Sequence, residues 1–147
     1  MCDYCACRDH PLIERLSDDH AHLLAWGARI EAALRSGYHA GARAGVERLV
    51  AILDPHLELE ERTLLPALAA DEAFAVTVAV IDADHQRART GRPATDPADP
   101  TRAAAVRAFV ADLRAHIHLE EYDVFPAAAQ LLTPALWSTA ERSAAAL

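Results

Sequence analysis

The chain has 147 residues, long enough to bury one real core and too short for two typical domains. A formal charge of −8 excludes the basic face that nucleic acid or an anionic membrane would require, and no stretch approaches the roughly 18 uninterrupted apolar residues of a membrane span. A hydrophobic fraction of 52% with only five Gly, and no alternating β-branched run, indicates an all-α protein.

The chain opens with Cys2, Cys5 and Cys7 among polar residues, with His10 three positions on. This start has neither the apolar stretch nor the small-residue cleavage site of a signal peptide, so a cytoplasmic location is expected, where thiols stay reduced unless they bind metal or do redox work. Cys2, Cys5, Cys7 and His10 offer four ligands of zinc-site type. The same spacing also suits a redox thiol pair or a tail with no defined role.

A first helix is expected from Pro11 to Ser36-Gly37, capped by Asp9 or His10, with the inward stripe Ile13, Leu16, His20, Leu23, Gly27, Ile30 and Leu34. The second, about Ala40 to Ala69, carries Val46, Leu49, Leu53, His56, Glu60 and Leu64, and Pro55 is expected to kink it just before His56. Asp71 caps a third helix reaching Thr90 through Phe74, Val78, Ile81, His85 and Ala88, and Gly91 stops it. The proline-bearing stretch 91–100 reads as an exposed loop. A fourth helix, about Thr101 to Leu132, presents Val106, Phe109, Leu113, His116, Glu120 and Val124. Thr133 and Pro134 then open a short tail helix through Leu147, expected to lie outside the other four.

The second and fourth helices repeat one pattern. His56-Leu57-Glu58-Leu59-Glu60-Glu61 leads to Pro66, and His116-Ile117-His118-Leu119-Glu120-Glu121 leads to Pro126, sixty residues later. Residues four apart share a helix face, so each His and Glu can address one object. All four long helices set a histidine on an apolar seam. A lone seam histidine is more often a hydrogen-bonded core residue than a ligand. Six such groups buried without partners, at roughly 2–7 kcal/mol for each neutral one, would exceed the roughly 5–15 kcal/mol by which a domain is stable. A metal centre removes the difficulty.

These residues resemble the hemerythrin-like, or HHE cation-binding, family, whose ligands run His, HxxxE, His, HxxxE along four successive helices. The similarity rests on Asp19-His20, His56 with Glu60, Asp84-His85, and His116 with Glu120, and spans most of the chain. It implies an up-down four-helix bundle over 11–132, a short C-terminal helix over 133–147 and an irregular cysteine segment over 1–10. It also implies two non-haem irons, bridged by Glu60, Glu120 and an oxo or hydroxo group. Ferritin-like proteins use Glu-x-x-His, the opposite order.

Oxygen-carrying hemerythrins place a second histidine where this chain has Arg89, and an aspartate five residues after the fourth-helix histidine; here Glu120 stands at four. Counting two imidazoles, two carboxylate oxygens and a bridging group leaves one octahedral position open on each iron. That arrangement favours redox handling of peroxide or dioxygen over end-on oxygen carriage. The alternative is a non-catalytic protein that binds or senses oxygen, nitric oxide or iron. Glu58, Glu61 and Glu121 read as a solvated face and His22 and His118 as surface residues; Asp19 or Asp84 suits a hydrogen bond to a ligand imidazole. Glu61, Glu121, Asp19 or His22 could supply a seventh ligand, and Tyr122 could gate or reduce the centre.

Overall fold

The computed structural model describes residues 9–93 and 100–146, with residues 100 and 101 described by backbone alone. The cysteines and most of the proline-bearing loop lie outside these residues. Among the described residues the protein is all-α, with no strand and no helix long and apolar enough to cross a membrane.

Helix α1 (Pro11–Arg35) starts on the preset φ of Pro11, with His10 as an extended cap whose side chain makes no capping bond. It ends because Gly37 takes φ +72°, which lets the Gly37 and Tyr38 amides donate to the carbonyls of Leu34 and Ala33. Helix α2 (His39–Arg62) folds back against α1. The close approach depends on Gly45, where a Cβ would sit 2.7 Å from Cγ1 of Ile30.

Helix α2 runs through Pro55, and the chain leaves helical geometry further on, at Thr63 (φ −128°, ψ −77°). The cause is Pro66, whose ring would clash with the carbonyl of Arg62 four residues back. The chain swings out at Thr63, whose hydroxyl donates to the Leu59 carbonyl at 2.5 Å, and resumes as α3 (Leu64–Ala69). Asp71 accepts from the Ala73 amide at 2.9 Å and caps a 3₁₀ turn, Glu72–Phe74, that leads into α4 (Ala75–Thr90).

The equivalent proline in the second repeat has a different effect. Helix α5 (Pro100–Leu119) widens into a π-helical turn over Glu120–Val124, just ahead of Pro126, and continues as α6 (Phe125–Leu131). The extra residue in that turn rotates two successive glutamates, Glu120 and Glu121, into the interior. Helix α7 (Pro134–Ala144) is capped by Thr133. It is not an outside appendage: Trp137 and Ala140 belong to the core with Leu12, Leu16, Leu68 and Phe125, and the Trp137 ring stacks on His10 at 4.0 Å.

Two apolar clusters form the interior. One gathers Leu12, Ile13, Leu16, Leu59, Leu64, Ile81, Val124 and Phe125; the other gathers Leu23, Ile30, Leu49, Leu53, Val106, Phe109, Leu113 and Ile117. Each helix that carries His20, His56, His85 or His116 passes from one cluster to the other, as α1 does between Leu16 and Leu23, and its histidine lies near the crossing.

Candidate metal centre

At that crossing lie six buried polar side chains: His20 from α1, His56 and Glu60 from α2, His85 from α4, His116 from α5, and Glu120 from the π turn. The Nε2 of His20 is 3.1 Å from Nε2 of His56 and 3.2 Å from Oε2 of Glu120. His56 Nε2 and His85 Nε2 lie 3.5 and 3.3 Å from Oε2 of Glu60, and His116 Nε2 lies 3.2 Å from Oε1 of Glu120. The atoms form two groups of four, His20–His56–Glu60–Glu120 and Glu60–His85–His116–Glu120, each with all its ligand atoms within 4.8 Å of one another. Glu60 and Glu120 belong to both.

The donor set fits a cation. All four oxygens of Glu60 and Glu120, His85 Nε2 and both ring nitrogens of His116 are buried without a hydrogen bond, although several sit within ion-pair distance of one another. Their lone pairs converge on common points instead of pairing off, an arrangement that would be costly with nothing at those points. Electrostatics say the same. Burial works against charge on His20, yet the neighbouring carboxylates of Glu120 and Glu121 outweigh it and raise the imidazole to about 9. His85 is raised to about 10 against the same burial, through Glu120 and Glu60. Burial would raise the Glu120 carboxyl, but the nearby imidazoles of His116, His20 and His85 hold it far below the ordinary range. In the metal-free chain, protons on imidazoles supply the positive charge that the carboxylates demand.

Each imidazole is backed on its Nδ1 side by a carboxylate. Glu121 Oε1 lies 2.9 Å from His20 and Glu61 Oε1 lies 3.0 Å from His85, while Asp19 and Asp84 stand 3.6 Å from His56 and His116. The backing is reciprocal. The Asp before each lone histidine faces the histidine of an HxxxE pair, and the second Glu of each HxxxE pair faces a lone histidine. The aspartates were expected in this place. Glu61 and Glu121 were expected on a solvated face, and this is corrected: Glu121 is buried, Glu61 is half-buried, and both make the shorter contacts. The doubled glutamates, Glu60-Glu61 and Glu120-Glu121, were the signal in the sequence. Glu58 is exposed and pairs with Arg62 at 2.8 Å, and His22 and His118 are exposed, as expected. Tyr122 is half exposed, its ring 4.4 Å from that of His118.

His10, considered as a fourth ligand beside Cys2, Cys5 and Cys7, is engaged with Trp137; the three cysteines fall outside the described residues.

Buried imidazoles and carboxylates from four helical segments, in two groups that share two glutamates, define a helical protein built to bind metal cations. The model of the Hemerythrin HHE cation binding domain matches residues 11–128, and the chain belongs to that family. Comparison with curated proteins and with solved structures gave no match.

Proposed function

We propose that the protein is a non-haem di-iron protein that consumes hydrogen peroxide, with dioxygen and nitric oxide as further small ligands of the same site. The observation that carries this reading is the sharing of Glu60 and Glu120 by two otherwise separate ligand groups. Residues 11–132 act as the metal-binding bundle, its four ligand-bearing helices running alternately up and down; the order in which each crosses from one apolar cluster to the other supports that direction. Residues 133–147 close one end, and residues 1–10 take no part in holding the irons.

His20 and His56 would hold one iron and His85 and His116 the other, with the carboxylates of Glu60 and Glu120 within reach of both. When bound, two irons would supply adjacent redox-active Lewis acids. Disproportionation balances without an outside reductant: one peroxide gives up two electrons and two protons and leaves as dioxygen, and a second accepts them and becomes two waters. The protein's part is to orient and to exclude. Glu121, Glu61, Asp19 and Asp84 hold the imidazoles with Nε2 inward, and the apolar clusters on either side keep bulk water out. Two cavities reach this layer. One of about 290 Å³ between α1 and α5 touches His20, Leu24, Ile117 and Glu121; one of about 510 Å³ between α4 and α5 touches Asp84 and His116.

Oxygen evolution from peroxide by the iron-loaded chain tests the reading. Many turnovers per chain are expected. Stoichiometric bleaching without turnover would instead indicate a non-catalytic protein that binds or senses oxygen, nitric oxide or iron.

A further inference from the structure

Helix α4 lies loosely against α5. Of its 16 residues only Ile81 and His85 are buried. The stripe of α5 that faces it carries Ala105, Ala108 and Ala115, where a helix seam ordinarily carries larger apolar side chains. The space left is a cavity of about 510 Å³ whose walls also include Ala88, Phe109 and Leu113. Ala105 and His116 both line it, and their separation along one helix gives the cavity a length of about 16 Å.

The end of the cavity at His116 is polar. His116 is 7% exposed, against 1% or less for His20, His56 and His85. Its Nδ1 is buried without a hydrogen bond, 3.6 Å from Oδ2 of Asp84, which also lines the cavity. With Nε2 directed to the metal position, Nδ1 carries a proton, so a donor and an acceptor stand ready for one hydroxyl-like group between them. The rest of the cavity is built for something larger than hydrogen peroxide. That molecule is little bigger than a water, which occupies roughly 30 Å³ in the liquid, whereas 510 Å³ falls among the sites that hold organic molecules. Charge narrows the class. Asp84 and Asp112 line the cavity with a single arginine, Arg87, which is already paired with Asp84, and the whole chain carries −8, so an anionic ligand is disfavoured.

We propose that the cavity between α4 and α5 binds neutral organic hydroperoxides, with the alkyl or aryl tail along the alanines and the O–O–H group at Asp84 and His116, and that the protein reduces them to alcohols. This rests on the peroxide-consuming reading above and names a second substrate class for the same centre. Hydrogen peroxide is the reductant. One hydrogen peroxide gives up two electrons and two protons and leaves as dioxygen; the organic hydroperoxide accepts them, its O–O bond breaks, and an alcohol and one water are formed.

Binding is read first without turnover, by alanine-methyl NMR of the metal-free full-length chain titrated with cumyl alcohol. Shifts are expected at Ala88, Ala105 and Ala108. A para-carboxylate on the same alcohol is expected to weaken binding by about tenfold or more. Turnover is then read on the iron-loaded chain, where cumene hydroperoxide with hydrogen peroxide present is expected to give cumyl alcohol many times per chain. Ala108→Trp, which puts an indole into the cavity, is expected to lower kcat/KM for cumene hydroperoxide relative to hydrogen peroxide by about tenfold or more. Ala111→Trp, at an exposed position of α5 outside the cavity, leaves that ratio as in the wild type. If Ala108→Trp loses helicity by circular dichroism, Ala105→Leu reports the same shift in smaller measure. The proposal is overturned by the absence of methyl shifts, by carboxylate binding as tight as that of the neutral alcohol, or by equal effects of Ala108→Trp and Ala111→Trp. It is also overturned if hydrogen peroxide turns over and no cumyl alcohol forms, which leaves the peroxide reading standing. A chain that turns over neither peroxide fells that reading, and this inference with it.

Discussion

Glu121 Oε1 lies 2.9 Å from Nδ1 of His20, a residue 101 positions earlier, and holds that imidazole with Nε2 directed to Glu120. The contact joins the end of α5 to the middle of α1 and exists because the π turn carries Glu121 inward beside Glu120. Replacing it tests whether the backing carboxylate matters to metal binding. Glu121→Ala is expected to weaken the cation held by His20 by roughly 10- to 100-fold, with helicity retained. Metal titration monitored by calorimetry checks this, and unchanged affinity would mean that His20 is oriented by packing alone.

The shared glutamates carry a stronger prediction. Glu60→Ala or Glu120→Ala removes a ligand from both groups at once, so either variant is expected to lose both metals, not one. The metal-loaded protein should also lose several kcal/mol of stability, on the order of 3–5, because a buried charged centre is left incomplete. Elemental analysis with thermal melting reads both effects. A variant that keeps two metals and wild-type melting would remove the bridging role.

Much of this site was legible because its buried histidines and glutamates follow the helix period. His20, His56, Glu60, His85, His116 and Glu120 all fall on three-four stripes, and the structure brings those six together. What could not be read was how the helices break. Pro55 and Pro66 carry the same chemical defect, but only Pro66 interrupts the helix, and Pro126 yields a widened turn in place of a break. Which carbonyl can move aside depends on tertiary packing, which periodicity does not contain. The inward turn of Glu121 follows from that local geometry, so it stayed hidden although the repeated Glu-Glu pair was visible. Trp137 was missed for a related reason: a short amphipathic tail does not announce which surface it covers.

The tail helix makes its own prediction. Trp137 is buried among Leu12, Leu68 and Phe125 and stacks on His10, so Trp137→Ala is expected to cost about 3–5 kcal/mol in chemical denaturation. A change under about 1 kcal/mol, the usual range of surface substitutions, would show that α7 is dispensable to the core.

Acidity provides a further check on the metal-free chain. His20 and His85 are raised from 6.5 to about 9 and about 10 in the folded state. Their contribution to stability is therefore complete below pH 6.5 and fades as the pH rises through 9 to 10. Glu120, depressed from 4.5, contributes above that value and loses its contribution as the pH falls. The melting temperature of the metal-free chain is expected to drop between pH 8 and 10. A cation must displace the same protons, so metal affinity should rise over that interval and binding should release protons, measured by calorimetry in buffers of different ionisation enthalpy. A flat melting profile with no proton release would contradict the electrostatics described for the site.

The most direct test of the central claim is the iron content of the chain after anaerobic loading with iron(II) and removal of loosely held metal, measured together with its Mössbauer spectrum. Two irons per chain, with magnetic coupling between them after oxidation, is the predicted result. One iron per chain, or two that are uncoupled, would contradict a pair bridged by Glu60 and Glu120.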